Sequence, residues 1–102
     1  MNIAKMMKQA QKMQGDMQRV QEELALRNYE ATAASGAIKA VVGGDGELKS
    51  LTLSPEIVKE GDAEMLQDLI VTAVREATEL SKTEAAKEMG KLTAGLGIPG
   101  LG

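Results

Sequence analysis

The chain has 102 residues, 43% of them hydrophobic, a formal net charge of −3, and no Cys, His, Phe or Trp. Those absences exclude disulfides, thiolate and imidazole metal sites, cysteine nucleophiles and histidine general bases. The length is that of one small domain. With Tyr29 as the sole aromatic ring, a monomer must build its core from Leu, Ile, Val, Met and Ala, so self-association is expected to complete it.

The fifteen carboxylates fall in no spacing that suggests a metal loop or an acid/base pair, and read as a solvated acidic surface. No metal and no cofactor is expected. No apolar run approaches the roughly 20 residues of a membrane span. The N-terminus lacks the apolar core of a signal peptide, so a cytoplasmic protein is expected. The charge is unevenly spread. Residues 1–20 hold Lys5, Lys8, Lys12 and Arg19 against Asp16, a net +3, while the remaining 82 residues hold eight basic and fourteen acidic side chains, a net −6. Such asymmetry points one end at an anionic partner or at the protein's own acidic part.

The spacing predicts a first helix over 3–27. Its apolar residues Ile3, Met6, Ala10, Met13, Met17, Val20 and Leu24 alternate intervals of three and four, the seam of a helix packed along another helix. Lys5, Lys8, Lys12 and Arg19 share a different face, within about 60° at 100° per residue and roughly opposite the seam. Asp16 and Glu23 interrupt that basic face. Gly15 costs about 1 kcal/mol relative to Ala in a helix interior and would suit a bend or a close contact. The methionines equally suit an adaptable protein-binding surface.

Three strands are expected next. Tyr29, Ala31 and Ala33 alternate with polar and small residues in a weak strand over 29–35. Ile38, Ala40 and Val42 define a strand over 37–43, and Leu51 and Leu53 one over 47–53. Gly43-Gly44-Asp45-Gly46 supplies a tight reversal between the last two. Its glycines neither follow a nucleotide-loop spacing nor open a helix. The result is a three-stranded antiparallel meander that needs a helical cover.

Ser54-Pro55-Glu56 starts a short helical turn, which Gly61 ends. Asp62 caps a long helix over 62–90, in which Leu66, Leu69, Ile70, Ala73, Ala77 and Leu80 form a stripe wide enough to cover a sheet. Beyond Leu80 the same angular positions carry Glu84, Lys87 and Lys91, so the last turns are expected to project into solvent. Gly90 is expected to end the helix. A domain of residues 1–90 and a flexible Gly-rich tail, 91–102, follow. The fold class is α+β.

Met7-Lys8-Gln9-Ala10-Gln11-Lys12-Met13-Gln14 resembles the opening helix of the YbaB/EbfC family of bacterial nucleoid-associated proteins. The order of elements, the segment Glu64-Met65-Leu66-Gln67-Asp68-Leu69-Ile70 and the Gly/Pro/Leu tail are similar as well. The resemblance implies a tweezer-like homodimer of the nucleoid that binds duplex DNA and organises or bridges the chromosome, with effects on gene expression. Carried over, the DNA-binding positions are Lys5, Lys8, Lys12 and Arg19 on the first helix and Lys82, Lys87 and Lys91 on the last. The dimer interface would involve Met6, Met13, Met17, Val20, Leu66 and Ile70. Residues 81–91 carry three lysines against Glu84 and Glu88. Few phosphate contacts imply salt-sensitive binding, and no Arg, Asn or Gln is singled out to read a base edge, so low sequence specificity is expected.

Other classes stay open on the residues alone. The Met-rich helix and projecting arms suit a protein–protein interaction module. A basic face opposite apolar residues also suits an anionic membrane surface, although so regular a seam is better explained by a partner helix, and no membrane partner is expected. An enzyme is disfavoured, because no nucleophile–base pair is marked, and no small-molecule substrate is expected.

Overall fold

In the computed structural model, which describes residues 2–95, helix α1 (Ile3–Ala25) leads into strands β1 (Asn28–Ala33), β2 (Ile38–Gly43) and β3 (Leu48–Leu53). Two further helices follow, the short α2 (Pro55–Lys59) and the long α3 (Ala63–Gly95). This is the α+β order that the sequence predicts. The molecule measures 69 × 22 × 17 Å, because two helices outrun a small sheet.

The sheet is antiparallel with β2 in the centre. Ala31 pairs with Ala40 and Ala33 with Ile38, while on the other side Ile38 pairs with Leu53 and Ala40 with Leu51. The strand period of two therefore gathers the apolar side chains on one face. Ile38, Ala40 and Val42 there are completely buried. A register shift at Val41/Val42 sets Val42 against Leu48. The strands are shorter than the sequence suggests. Ala34 and Ser35, expected at the end of β1, have φ angles of 53° and 56° and lead with Gly36 (φ 93°) into β2. A residue in the left-handed region cannot continue a strand, and the register of Ala33 with Ile38 leaves 34–37 to make the turn.

Helix α3 lies across the covered face. Its contact line is Ala73, Ala77 and Ser81, spaced four apart and all buried. Small side chains there bring the helix close to β2, with Leu66, Leu69, Ile70 and Val74 packing around them and Ile57 of α2 closing the cluster. Leu80, expected in the covering stripe, is 42% exposed, and the buried position belongs to Ser81. There Ser81 Oγ donates to the Gly43 carbonyl at 2.6 Å, a second hydrogen bond to an acceptor that also takes the Gly46 N–H at 2.9 Å, so the buried hydroxyl is satisfied.

Helix ends follow their caps. Asn2 Oδ1 accepts the Lys5 N–H at 3.1 Å, and Asp62 Oδ1 accepts the Met65 N–H at 3.0 Å. Helix α1 stops at Ala25, short of the expected Arg27, because the Arg27 carbonyl is taken by the Gly44 N–H at 3.0 Å and Asn28 already pairs in β1. At the other end, Gly90 does not end α3, which continues to Gly95. A mid-helix glycine lowers stability by about 1 kcal/mol but terminates a helix only when it takes a left-handed cap, and Gly90 has no positive φ. The expected tail from 91 is thus helical as far as 95. The rest of it, 96–102, lies outside the described residues.

Candidate nucleic-acid interface

Past the sheet, α3 does not run alone. A cleft of about 420 Å³ is lined by Gln21 and Leu24 of α1, Gly44 and Asp45 of the turn, and Ala85, Ala86 and Met89 of α3. Leu24 is 3% exposed at this joint. Leu24 and Gln21 on one helix meet Ala85 to Met89 on the other, so α1 and α3 run antiparallel from here. At equal rise per residue, about Gln14 is level with the end of α3 at Gly95, and residues 3–13 run on past it. Side-chain exposure agrees. Met13, Met17 and Val20 are half-buried, whereas Ile3, Met6 and Met7 are 68%, 53% and 60% exposed.

An ion pair ties this joint across elements, from Arg27 Nη1 to Glu88 Oε1 at 3.7 Å. The Arg27 pKa is raised, chiefly by the neighbouring Tyr29 hydroxyl and then by Glu88. Tyr29 Oη itself is buried and reaches no partner at full hydrogen-bond geometry among the described residues. At the hairpin tip, Lys49 Nζ lies 3.3 Å from Asp45 Oδ2 and 3.2 Å from Glu47 Oε2. The backbone N–H of Glu47, followed by Lys49, holds the Asp45 pKa below its ordinary value. Hydrogen bonds to Glu47 and then Asp45 raise that of Lys49.

The seven basic positions singled out from the sequence divide into two groups. Arg19 is paired within its own helix, 3.5 Å from Asp16 and 3.9 Å from Glu23. Lys91 is 3.5 Å from Glu88. By contrast Lys5, Lys8, Lys12, Lys82 and Lys87 are exposed, and none has an ion-pair partner among the described residues. An unpaired ammonium in water can exchange its counterion for a phosphate without breaking an internal contact. By the same count along the helices, Lys87 and Lys91 lie beside the last turns of α1, and Lys5, Lys8 and Lys12 ride on its projecting end. Of the apolar positions, Leu66 and Ile70 pack against the sheet core, Met13, Met17 and Val20 are half-buried, and Met6 is open.

Sequence reasoning missed the joint itself, meaning Arg27, Gly44 and Ser81. A signal was present. The turn contains three glycines, yet only Gly46 there adopts a positive φ (83°), so the other two were surplus to reversal and pointed to close packing. Among the described residues, no group of His, Cys, Asp or Glu could hold a metal, and no helix is long and apolar enough to cross a membrane.

A model of the YbaB/EbfC DNA-binding family matches residues 1–96. A nucleoid-associated protein of Desulforamulus reducens is 56% identical over 98% of this chain and 95% of its own. One from Pelotomaculum thermopropionicum is 51% identical over the same shares, and one from Acetivibrio thermocellus is 50% identical over 98% and 89%. In structure, the chain is similar to the uncharacterized protein HP0035 of Helicobacter pylori, with a TM-score of 0.82 over 91% of this chain and 98% of that one; at 14% identity this likeness concerns the fold. With a full-length family match and relatives at half identity or more, the chain belongs to the YbaB/EbfC DNA-binding family of nucleoid-associated proteins.

Proposed function

We propose that the chain works as a non-enzymatic homodimer in the nucleoid, binding duplex DNA through the phosphate backbone with low sequence specificity and organising or bridging it, with consequences for gene expression. Lys5, Lys8 and Lys12 on α1 and Lys82 and Lys87 on α3 make the contacts, while Arg19 and Lys91 contribute less because each already has a carboxylate. The observation that carries this reading is the sorting of charge: five lysines have no ion-pair partner among the described residues and lie on the two helices that outrun the sheet, in a chain whose relatives are nucleoid-associated proteins. Self-association is supported by the apolar end of α1, where Ile3, Met6 and Met7 are mostly exposed. A second copy would cover them, with Met13, Met17 and Val20 continuing the seam and Leu66 and Ile70 at the body. Titrating a duplex at low and at moderate salt tests the DNA reading. Binding at low salt that weakens steeply with added salt is expected. No binding at low salt refutes it.

The same exposed methionines favour the alternative of a protein-binding module. Replacing Met6 and Met13 with polar residues while following oligomeric mass separates the two. The DNA reading expects function to track Lys5, Lys8 and Lys12; the module expects it to track the methionines with the dimer intact.

A further inference from the structure

Gly44 sits where α1, the β2–β3 turn and α3 meet. Its φ lies outside the left-handed region occupied by Gly36, Gly46 and Gly61, so backbone conformation does not demand glycine. Space does. A Cβ on Gly44 would stand 1.9 Å from the Leu24 carbonyl oxygen, 2.5 Å from its carbonyl carbon and 3.0 Å from its Cβ. The Gly44 N–H donates to the Arg27 carbonyl at 3.0 Å, and the preceding carbonyl, that of Gly43, accepts the Ser81 hydroxyl at 2.6 Å. Two adjacent residues therefore join all three elements through backbone groups. Gly43 is under a weaker restriction. Its Cβ would meet Lys49 Cε at 2.6 Å and Asp45 Oδ1 at 2.7 Å, and both belong to flexible side chains of exposed residues that can swing away.

We propose that Gly44 is a positioning residue for DNA binding: its missing side chain seats the last turn of α1 against the hairpin and so fixes the direction in which α1 carries Lys5, Lys8 and Lys12 relative to Lys82 and Lys87, an inference that rests on reading these lysines as phosphate contacts. A carbonyl oxygen within a helix cannot rotate aside. Restoring ordinary contact at 3.4 Å or more requires the helix end or the hairpin to move by about 1.5 Å. The arm amplifies that movement. Lys5 lies nineteen residues before Leu24, about 28 Å along the helix. A tilt of about 10° then displaces it by about 5 Å, more than the roughly 3.4 Å axial spacing of phosphates on one strand.

The chain has no cysteine, so spin labels at Gln11→Cys on α1 and Thr52→Cys on β3, both exposed positions, report arm direction cleanly when diluted with unlabelled chain. In the absence of DNA, Gly44→Ala is expected to shift or broaden the label distance by several ångströms while far-UV circular dichroism keeps its helical signal; Gly43→Ala is expected to leave the distance unchanged. With duplex, Gly44→Ala is expected to flatten the salt dependence of binding by about 0.9 in log–log slope for each phosphate that the lysines no longer reach. General destabilisation would lower the bound fraction without changing that slope. Should Gly44→Ala fail to fold, Leu24→Ala loosens the same joint from the α1 side, and the same broadening and flattening are expected. An unchanged distance and slope in the folded variant overturn the proposal. Failure of the parent chain to bind duplex refutes the DNA reading instead and leaves the distance result standing.

Discussion

Ser81 on α3 donates its hydroxyl to the carbonyl of Gly43 at the end of β2, across 2.6 Å and at 1% exposure. This hydrogen bond lies at the sheet's last residue before the turn, where α3 leaves its cover and meets α1. Ser81→Ala removes one of two donors to this carbonyl, which keeps the Gly46 N–H at 2.9 Å, so the loss is that of one hydrogen bond, about 0.5–1.5 kcal/mol. Urea unfolding at a fixed protein concentration should show that loss. A variant as stable as the parent would mean that the Gly46 N–H alone satisfies the carbonyl.

Gly90 sits inside α3 without a positive φ, and among the described residues a Cβ there meets nothing within 4 Å. Gly90→Ala should therefore stabilise the protein by up to about 1 kcal/mol and raise the Tm. A fall in Tm would instead indicate that the helix ends at Gly90, as the sequence suggested.

The hairpin tip makes a pH prediction. The folded Asp45 pKa lies below its ordinary value, mainly through the Glu47 N–H and then Lys49. Its contribution is therefore present above the unfolded carboxylate range and is lost as pH falls through the folded value. Lys49 has the opposite sense: raised by Glu47 and Asp45, its contribution is present below its ordinary pKa and is lost as pH rises through the folded one. The stability gap between the parent and Asp45→Asn should be widest near neutral pH and close on acidification. A gap that does not change with pH contradicts this assignment.

Much of the fold was legible because it is local. The alternation of Ile38, Ala40 and Val42 and the caps at Ser54 and Asp62 each depend on neighbours within a few residues. What the sequence hid were choices made by tertiary contact. Leu80 fits the covering stripe on hydrophobicity, yet Ser81 takes the buried place, where its hydroxyl donates to the Gly43 carbonyl. Ala34 and Ser35 look like strand until the register of Ala33 with Ile38 commits them to the turn. For the site, the spacing of Lys5, Lys8 and Lys12 was readable as a face; that late α3 keeps Ala85 and Met89 half-buried beside α1, instead of projecting alone into solvent, was not. That Glu88 serves both Arg27 and Lys91, while Lys82 and Lys87 have no ion-pair partner among the described residues, depends on how two distant helices meet.

The most direct test is the salt dependence of duplex binding, with mass followed by light scattering, for the parent chain, for Lys5→Gln/Lys8→Gln/Lys12→Gln and for Arg19→Gln. All three should have the mass of a dimer. The triple variant should have a slope shallower by about 0.9 for each phosphate it no longer neutralises, and Arg19→Gln, whose partners are Asp16 and Glu23, should stay close to the parent. If the triple variant keeps the parent slope, the unpaired lysines of α1 do not meet the phosphate backbone and the account is wrong.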